Sequence, residues 1–298
     1  MGQMIDGVWE SVDRKITAAD GSFQRAGSTF RGTIAAAELG RYRLYVSLAC
    51  PWAHRTLIFR ALKGLEDAIT VSVTHWLMAD QGWSFAPGEG VVPDPEGAAA
   101  MHEVYGRAEP RYTGRVTVPV LWDCSERIIV NNESAEIIRI FNAIGPALGD
   151  YYPADLQPEI DAVNARVYET VNNGVYRAGF AASQVAYDAA VGALFDSLDW
   201  LEARLARQPF LCGEAITEAD WRLFTTLIRF DAVYVTHFKC NLRRLVDYPA
   251  LHAHTRRLYR MPGIAATCDF GHIKRHYFQS HRHLNPGGIV PAGPILDF

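Results

Sequence analysis

The sequence predicts an α/β domain followed by an all-α domain. Between residues 41 and 150, runs rich in β-branched and aromatic residues alternate with stretches of helical spacing. After about residue 150 the apolar positions keep a helical period and no convincing strand pairs follow. A third observation ties fold to chemistry: Cys50 falls where the first strong strand gives way to the first helix.

Arg43-Leu44-Tyr45-Val46-Ser47-Leu48 is apolar, β-branched and aromatic, and reads as a strand. Residues 51–63 read as a helix with Leu57, Ile58, Ala61 and Leu62 on one face. Pro51 suits the first helical position and Gly64 lies just past the end. Residues 69–75 give a second strand, 117–122 and 127–130 two more, and 133–142 a closing helix. Residues 1–40 hold no sustained period and read as an extended N-terminal arm. The stretch near 76–114, with Pro87-Gly88-Glu89-Gly90 and Pro93-Asp94-Pro95, reads as a long irregular insertion of the kind used for functional loops or lids. Strand–helix–strand and then strand–strand–helix, with a helix-initiating cysteine, is the order of a thioredoxin-like domain over 41–150. Asp150-Tyr151-Tyr152-Pro153-Ala154-Asp155 reads as a linker. In the all-α region, 156–298 with a C-terminal extension, helices are expected over 158–176, 187–207, 217–230 and 248–259, and near 264–270.

A chain of 298 residues suits one large domain or two ordinary ones, and with 49% hydrophobic and 21% charged residues it sustains a sizeable core. A formal net charge of -4 gives no electrostatic reason to expect nucleic-acid binding. Cys50, Cys124, Cys212, Cys240 and Cys268 are odd in number and scattered, which argues against a disulfide framework and for a reducing compartment. No apolar run is long enough to span a membrane, and the N-terminus lacks the basic and apolar regions of a signal peptide. The expectation is a soluble cytoplasmic protein.

At the start of a helix, free N–H groups and the positive end of the helix dipole face the Cys50 sulfur, which lowers a thiol pKa. The thiolate is the nucleophile. Position 53, where a C-x-x-C redox pair needs its second cysteine, is Ala53. A mixed disulfide at Cys50 is then resolved by an incoming small-molecule thiol. The competing reading is a buried structural cysteine.

Pro119 is awkward inside a central strand because it cannot donate to the ladder. A cis peptide bond starting the strand would expose the N–H and C=O of Val118 for antiparallel pairing with a short peptide ligand. An edge strand with no ligand is the alternative. Asn131-Asn132-Glu133-Ser134 precedes the apolar face of Ile137, Ile138 and Phe141, with Asn132 as candidate N-cap. Ser134 could take a carboxylate and Glu133 an ammonium, which together fit an α-amino acid head; plain capping is the other reading. Thr217-Glu218-Ala219-Asp220 reads as a structural capping box. His252 and His254 are too sparse for a zinc site. His272, His276, His281 and His283 are more suggestive as a tract, with a metal as the lesser reading and a solvated or satisfied side chain the favoured one for each.

Taken together, these motifs resemble the glutathione transferase superfamily, and within it the glutathionyl-hydroquinone reductases of the Xi class. The resemblance rests on Cys50-Pro51-Trp52-Ala53-His54-Arg55, residues 114–123 and 132–139, Asn172-Asn173-Gly174-Val175-Tyr176-Arg177, and His272-Ile273-Lys274-Arg275-His276-Tyr277. The last two motifs are specific to the class. The resemblance implies a thioredoxin-like domain that holds glutathione and a helical domain for the second substrate. It also implies a catalytic Cys50 that takes glutathione from a glutathionyl-hydroquinone, a mixed disulfide, and release by a second glutathione. Carried over by motif, Trp83 lies near glutathione and Val118 pairs with its cysteinyl part. Glu133 and Ser134 hold the γ-glutamyl end, and an arginine faces the glycyl carboxylate. Arg115 is favoured there, with Arg107 and Arg111 nearby. Tyr176 and Tyr277 match tyrosines of the aromatic substrate pocket.

Glutathione is the implied co-substrate, with no metal, flavin or nucleotide. A homodimer is implied, with no nucleic-acid or membrane partner. A general glutathione thiol transferase, a dehydroascorbate-type reductase and a non-catalytic ligand carrier are the alternatives. A cysteine in place of Ser or Tyr at position 50 speaks against an ordinary conjugating transferase.

Overall fold

The computed structural model describes residues 2–11, 17–23, 27–145 and 149–298. Two compact units emerge: Met1–Arg14, Ala26–Leu148 and Ala266–Ile289 form one, and Lys15–Arg25, Gly149–Ala265 and Val290–Phe298 the other.

The first unit is built on a four-stranded mixed sheet of β3 (Tyr42–Val46), β4 (Ile69–Val73), β5 (Val120–Asp123) and β6 (Ile128–Asn131), in the order β4-β3-β5-β6. β3 runs parallel to β4, with Tyr42 opposite Ile69 and Val46 opposite Val73. It is antiparallel to β5, with Tyr42 opposite Asp123 and Tyr45 opposite Val120. β5 and β6 pair antiparallel. The parallel step is bridged by α1 (Pro51–Leu62), as a crossover requires. α3 (Ser134–Ile144) buries Ile137, Ile138, Ile140 and Phe141. The strand–helix order expected over 41–150 is therefore present. The edge-strand reading of Pro119 is not: β5 is interior, paired on both sides. The ladder tolerates the proline because Val118–Pro119 is cis and pairing begins only at Val120.

Several sequence expectations are corrected. Within the arm, β1 (Gln3–Ile5) and β2 (Val8–Glu10) form an antiparallel hairpin. Asp6 and Gly7, at φ 48° and 83°, make its turn with the two left-handed residues that a tight hairpin of right-twisted strands needs. Further along, Phe30 and Gly32 bond to Asn132 and Val130 beside β6. The insertion is ordered and contains a helix, α2 (Met101–Ala108). It is fastened to β3 by Asp94, which accepts from the Tyr45 hydroxyl at 2.7 Å, the Ala98 N–H at 2.8 Å and Arg107 at 2.7 Å. Burial raises the Asp94 carboxyl, but these donors outweigh it and hold it below the usual carboxylate range. The helix expected near 264–270 is only a turn at Ala265–Thr267.

The second unit contains α4 (Gln157–Val167), α5 (Gly174–Gly179), α6 (Gln184–Leu205), α7 (Glu218–Arg229), α8 (Val235–His237) and α9 (Pro249–Tyr259). The single helix expected over 158–176 is interrupted by a π-helical turn at Tyr168–Asn172. A second π-helical turn, Phe230–Tyr234, follows α7. The Thr217–Asp220 capping box starts α7, with the Thr217 N–H donating to the Asp220 carboxylate at 2.8 Å. In the first unit, α10 (Phe270–Ser280) starts at Asp269, whose carboxylate accepts from the His272 N–H at 2.7 Å. Among the described residues no helix is long and apolar enough to cross a membrane.

Candidate active site

The site is built around the turn from β3 into α1. Cys50 occupies the N-cap of α1 in extended conformation, with Pro51 in the first turn. The Cys50 N–H donates to the Ser47 carbonyl at 3.1 Å, and its own carbonyl accepts the first intrahelical bond, from His54 N–H, at 2.9 Å. Only 8% of the residue is exposed. The helix N-terminus beside the sulfur favours negative charge there. The thiol lies 3.6 Å from the Val118 carbonyl, to which it donates. Among the described residues no backbone acceptor meets the Val118 N–H. Cys50 and Val118 are thus brought together.

Glu133 and Ser134 follow β6. The N-cap of α3 is Glu133 and not Asn132: the Glu133 carboxylate accepts from Ala135 N–H at 3.1 Å and from the Ser28 hydroxyl at 2.9 Å. Asn132 is spent on other bonds, with Phe30 N–H and with Tyr105. Ser134 is buried, and its hydroxyl is 3.4 Å from Nη1 of Arg55. Arg55 lies on α1, 1% exposed, with its guanidinium 4.5 Å from the Trp52 ring centroid. A buried arginine therefore joins the cysteine's helix to the start of α3. A charged residue among the buried positions of α1, five residues after the cysteine, is a signal that could have found it.

Tyr105 on α2 is a second residue that sequence reasoning missed. Its hydroxyl donates to the Thr117 carbonyl at 3.0 Å and accepts from the Asn132 amide at 3.1 Å. It thereby ties the segment that carries Val118 to the segment that carries Glu133. Burial pushes the Tyr105 phenol up, so it stays a neutral hydroxyl.

Trp83 and Tyr277 belong to a second cluster of the same unit. Trp83 is buried and stacks on His276, with ring centroids 4.9 Å apart. His276 accepts no proton from the Trp76 carbonyl, 2.8 Å from its Nδ1, so Nδ1 carries the hydrogen and donates. Tyr277 is buried and packs edge-on against His276 and His281. Among the arginines, Arg107 is engaged by Asp94 and Glu96, and Arg111 by Asp6. Arg115 is half-buried, and its backbone carbonyl accepts from the Tyr112 hydroxyl at 3.0 Å. Tyr176 lies in the other unit, in an aromatic group with Phe23, Phe180, Tyr234 and Phe238. Among the described residues no group of three or more metal-ligating side chains comes together.

Residues 49–144 match the family model "Glutathione S-transferase, N-terminal domain" and residues 184–257 the "Glutathione S-transferase, C-terminal domain". The chain is 54% identical to the glutathionyl-hydroquinone reductase PcpF of Sphingobium chlorophenolicum, over 99% of this chain and 96% of that one. It is 51% identical to the glutathionyl-hydroquinone reductase YqjG of Escherichia coli, over 100% and 96%. The glutathione-bound structure of YqjG superposes with a TM-score of 0.89, covering 99% of this chain and 96% of that one. The Xi glutathione transferase of Phanerochaete chrysosporium gives 0.91 at 53% identity, covering 94% and 95%. The capped cysteine, the Val–Pro step and the Glu–Ser helix start thus sit on a shared scaffold, and the chain belongs to the glutathione transferase family, in its Xi class of glutathionyl-hydroquinone reductases.

Proposed function

We propose that this chain is a glutathione-dependent reductase that removes glutathione from glutathionyl-hydroquinones through a mixed disulfide at Cys50. The observation that carries the reading is Cys50 at the N-terminus of α1, 3.6 Å from the Val118 carbonyl. The full-length likeness to two named glutathionyl-hydroquinone reductases supplies the substrate class.

The chemistry proceeds in two steps. The Cys50 thiolate attacks the sulfur of the conjugate, forming an S–S bond. The carbon–sulfur bond breaks, its electron pair passes to the ring, and the ring carbon takes a proton, which releases the hydroquinone. A second glutathione then attacks the mixed disulfide, giving oxidised glutathione and the free Cys50 thiolate. Overall, one glutathione thiol and the thioether sulfur of the conjugate are oxidised to the disulfide while the ring carbon is reduced from C–S to C–H, so no other reductant is needed. Ala53 supplies no thiol in the first turn of α1, which fits resolution from outside.

Each holding group has a role in this reading. Val118 presents its backbone to the cysteinyl part of glutathione, and Glu133 with Ser134 takes the ammonium and carboxylate of the γ-glutamyl end. Arg115, in the motif shared with the class, is assigned to the glycyl carboxylate; Arg107 and Arg111 pair with Asp94 and Asp6. Trp83 lies against glutathione. Tyr277 and Tyr176 are assigned to the quinol, where a phenolic hydroxyl stabilises developing phenolate charge. Five free cysteines fit a reducing, cytoplasmic setting. A homodimer and a place in aromatic degradation complete the reading and rest on the class alone.

A turnover assay on a glutathionyl-hydroquinone, following hydroquinone and oxidised glutathione, tests the proposal. Equal amounts of both products are expected from the wild-type chain and neither from Cys50→Ser. Absence of turnover by folded, reduced wild-type protein would set the reading aside.

A further inference from the structure

We propose that the N-terminal hairpin β1–β2 is a brace that positions Trp83 and Arg115, and so serves glutathione binding without touching glutathione. The proposal rests on the assignment of those two residues to glutathione.

The hairpin contacts both of the loops that end in these residues. On one side, the Trp9 indole N–H donates to the Asp80 carbonyl at 2.8 Å, and the Trp9 ring stacks on His102 at 4.9 Å, nearly parallel. Asp80 lies in the tight turn closed by Gly82 N–H to the Ala79 carbonyl at 2.9 Å. Gly82, at φ +65°, sits so close to Trp9 that an added Cβ would come within 3.0 Å of its ring. Trp83 is the next residue. His102 itself bonds Gln81 at 2.9 Å, which closes the grip on this turn.

On the other side, Met4 exchanges both backbone bonds with Gly114, at 2.9 and 3.0 Å, and Arg115 is the next residue. Gly7 N–H donates to the Tyr112 carbonyl at 3.0 Å, Asp6 N–H to the Thr113 hydroxyl at 2.8 Å, and Arg111 pairs with Asp6. Met4 is buried, with its methyl group against Gly106 of α2. Trp83 is also held by its stack on His276 and by the Met101 N–H, which donates to its carbonyl at 2.8 Å; the hairpin adds the link from this loop to the one that carries Arg115. Spanning them with one short two-stranded element fixes the spacing of Trp83 and Arg115 before any ligand arrives, which lowers the ordering cost of binding.

Steady-state kinetics with glutathione and a glutathionyl-hydroquinone on three full-length variants tests this. Trp9→Ala removes the stack and the indole donor. Trp9→Phe keeps an aromatic ring but loses the donor. Trp83→Ala removes the proposed glutathione contact itself. The expected result is a KM for glutathione raised about three- to tenfold in Trp9→Ala, and by less in Trp9→Phe, with kcat within about twofold of wild type. Should Trp9→Ala fail to fold, the KM shift in Trp9→Phe decides the matter. A folded Trp9 variant with unchanged KM, or one that loses kcat alone, overturns the brace if Trp83→Ala raises KM. An unchanged KM in Trp83→Ala instead overturns the glutathione assignment of Trp83, and the brace with it.

Discussion

The hydroxyl of Tyr105 stands 3.1 Å from the side-chain amide of Asn132, and through that bond α2 sets the distance between the Val118 and Glu133 segments. Tyr105→Phe leaves the ring in place and strips the hydroxyl from Thr117 and Asn132. A cost of about 1–3 kcal/mol in stability is expected, since the Asn132 amide and Thr117 carbonyl lose a buried partner. The KM for glutathione should rise several-fold as the two segments loosen. Urea unfolding and steady-state kinetics on the same preparation check both, and a variant with lowered stability but wild-type KM would separate Tyr105 from the site.

Arg107 and Arg115 should respond oppositely to removal. The Asp94 side chain is fully buried and Arg107 is its charge partner at 2.7 Å, so Arg107→Ala leaves a buried carboxylate short of its cation. A stability loss of about 3 kcal/mol is expected, with little change in the KM for glutathione. Arg115→Ala should raise that KM by about tenfold or more, the scale of one lost charged hydrogen bond, with a small effect on unfolding. The reverse pattern would transfer the carboxylate role to Arg107.

Acid should weaken the second unit through His254. Burial lowers its imidazole to about 3. The folded pKa is therefore depressed below the ordinary value of about 6.5, and the unfolded chain takes the proton first. Stability is complete above about pH 6.5 and falls as pH drops towards 3. Asp220, raised to about 6 by burial, works in the opposite direction between about pH 6 and 4. His254 Nε2 lies 3.4 Å from the Asp220 carboxylate, so comparison with His254→Gln reads the histidine together with its effect on Asp220. Between pH 7 and pH 5 the wild-type chain should lose about 2 kcal/mol relative to the variant, measured by urea unfolding at each pH. Parallel pH profiles for the two chains would show that His254 is not the acid-sensitive group.

What the sequence made legible follows from where local signals are strong. The Cys50 turn shows itself because Pro51 and the apolar face of α1 agree with the tertiary fold, and the Val118–Pro119 step because proline cannot sit in an interior ladder. The hairpin escaped because its strands are three residues long, too short for a period, although Asp6-Gly7 was a hairpin turn signal in plain view. α2 was hidden in a Gly/Pro-rich stretch, carries Gly106 within it, and buries only Met101, Val104 and Tyr105. α10 is lined by His272, Ile273, His276, Tyr277 and Phe278, a face with two histidines that hydropathy does not report. The π-helical turn at Tyr168–Asn172 adds a residue to the turn and shifts the apolar phase, so one expected helix became two. The same causes explain which candidate site residues were missed: Tyr105 lies on the unseen helix, and Arg55 is a charged group in buried company.

The first unit is discontinuous along the chain, since Ala266–Ile289 rejoins it after the whole of Gly149–Ala265 has been made elsewhere. This has a consequence for biosynthesis. At a synthesis rate of about 5–20 residues per second, the ribosome spends several seconds or more on the intervening residues while Trp83 waits for its partner His276. The nascent sheet and α1 can form early, but the stacked pair cannot close until the final segment leaves the exit tunnel. Cys50 is made within the first fifth of the chain and meets the cell's oxidants during that interval. Reducing conditions would therefore protect the Cys50 thiol while the chain is still being made, before the unit that surrounds it is complete.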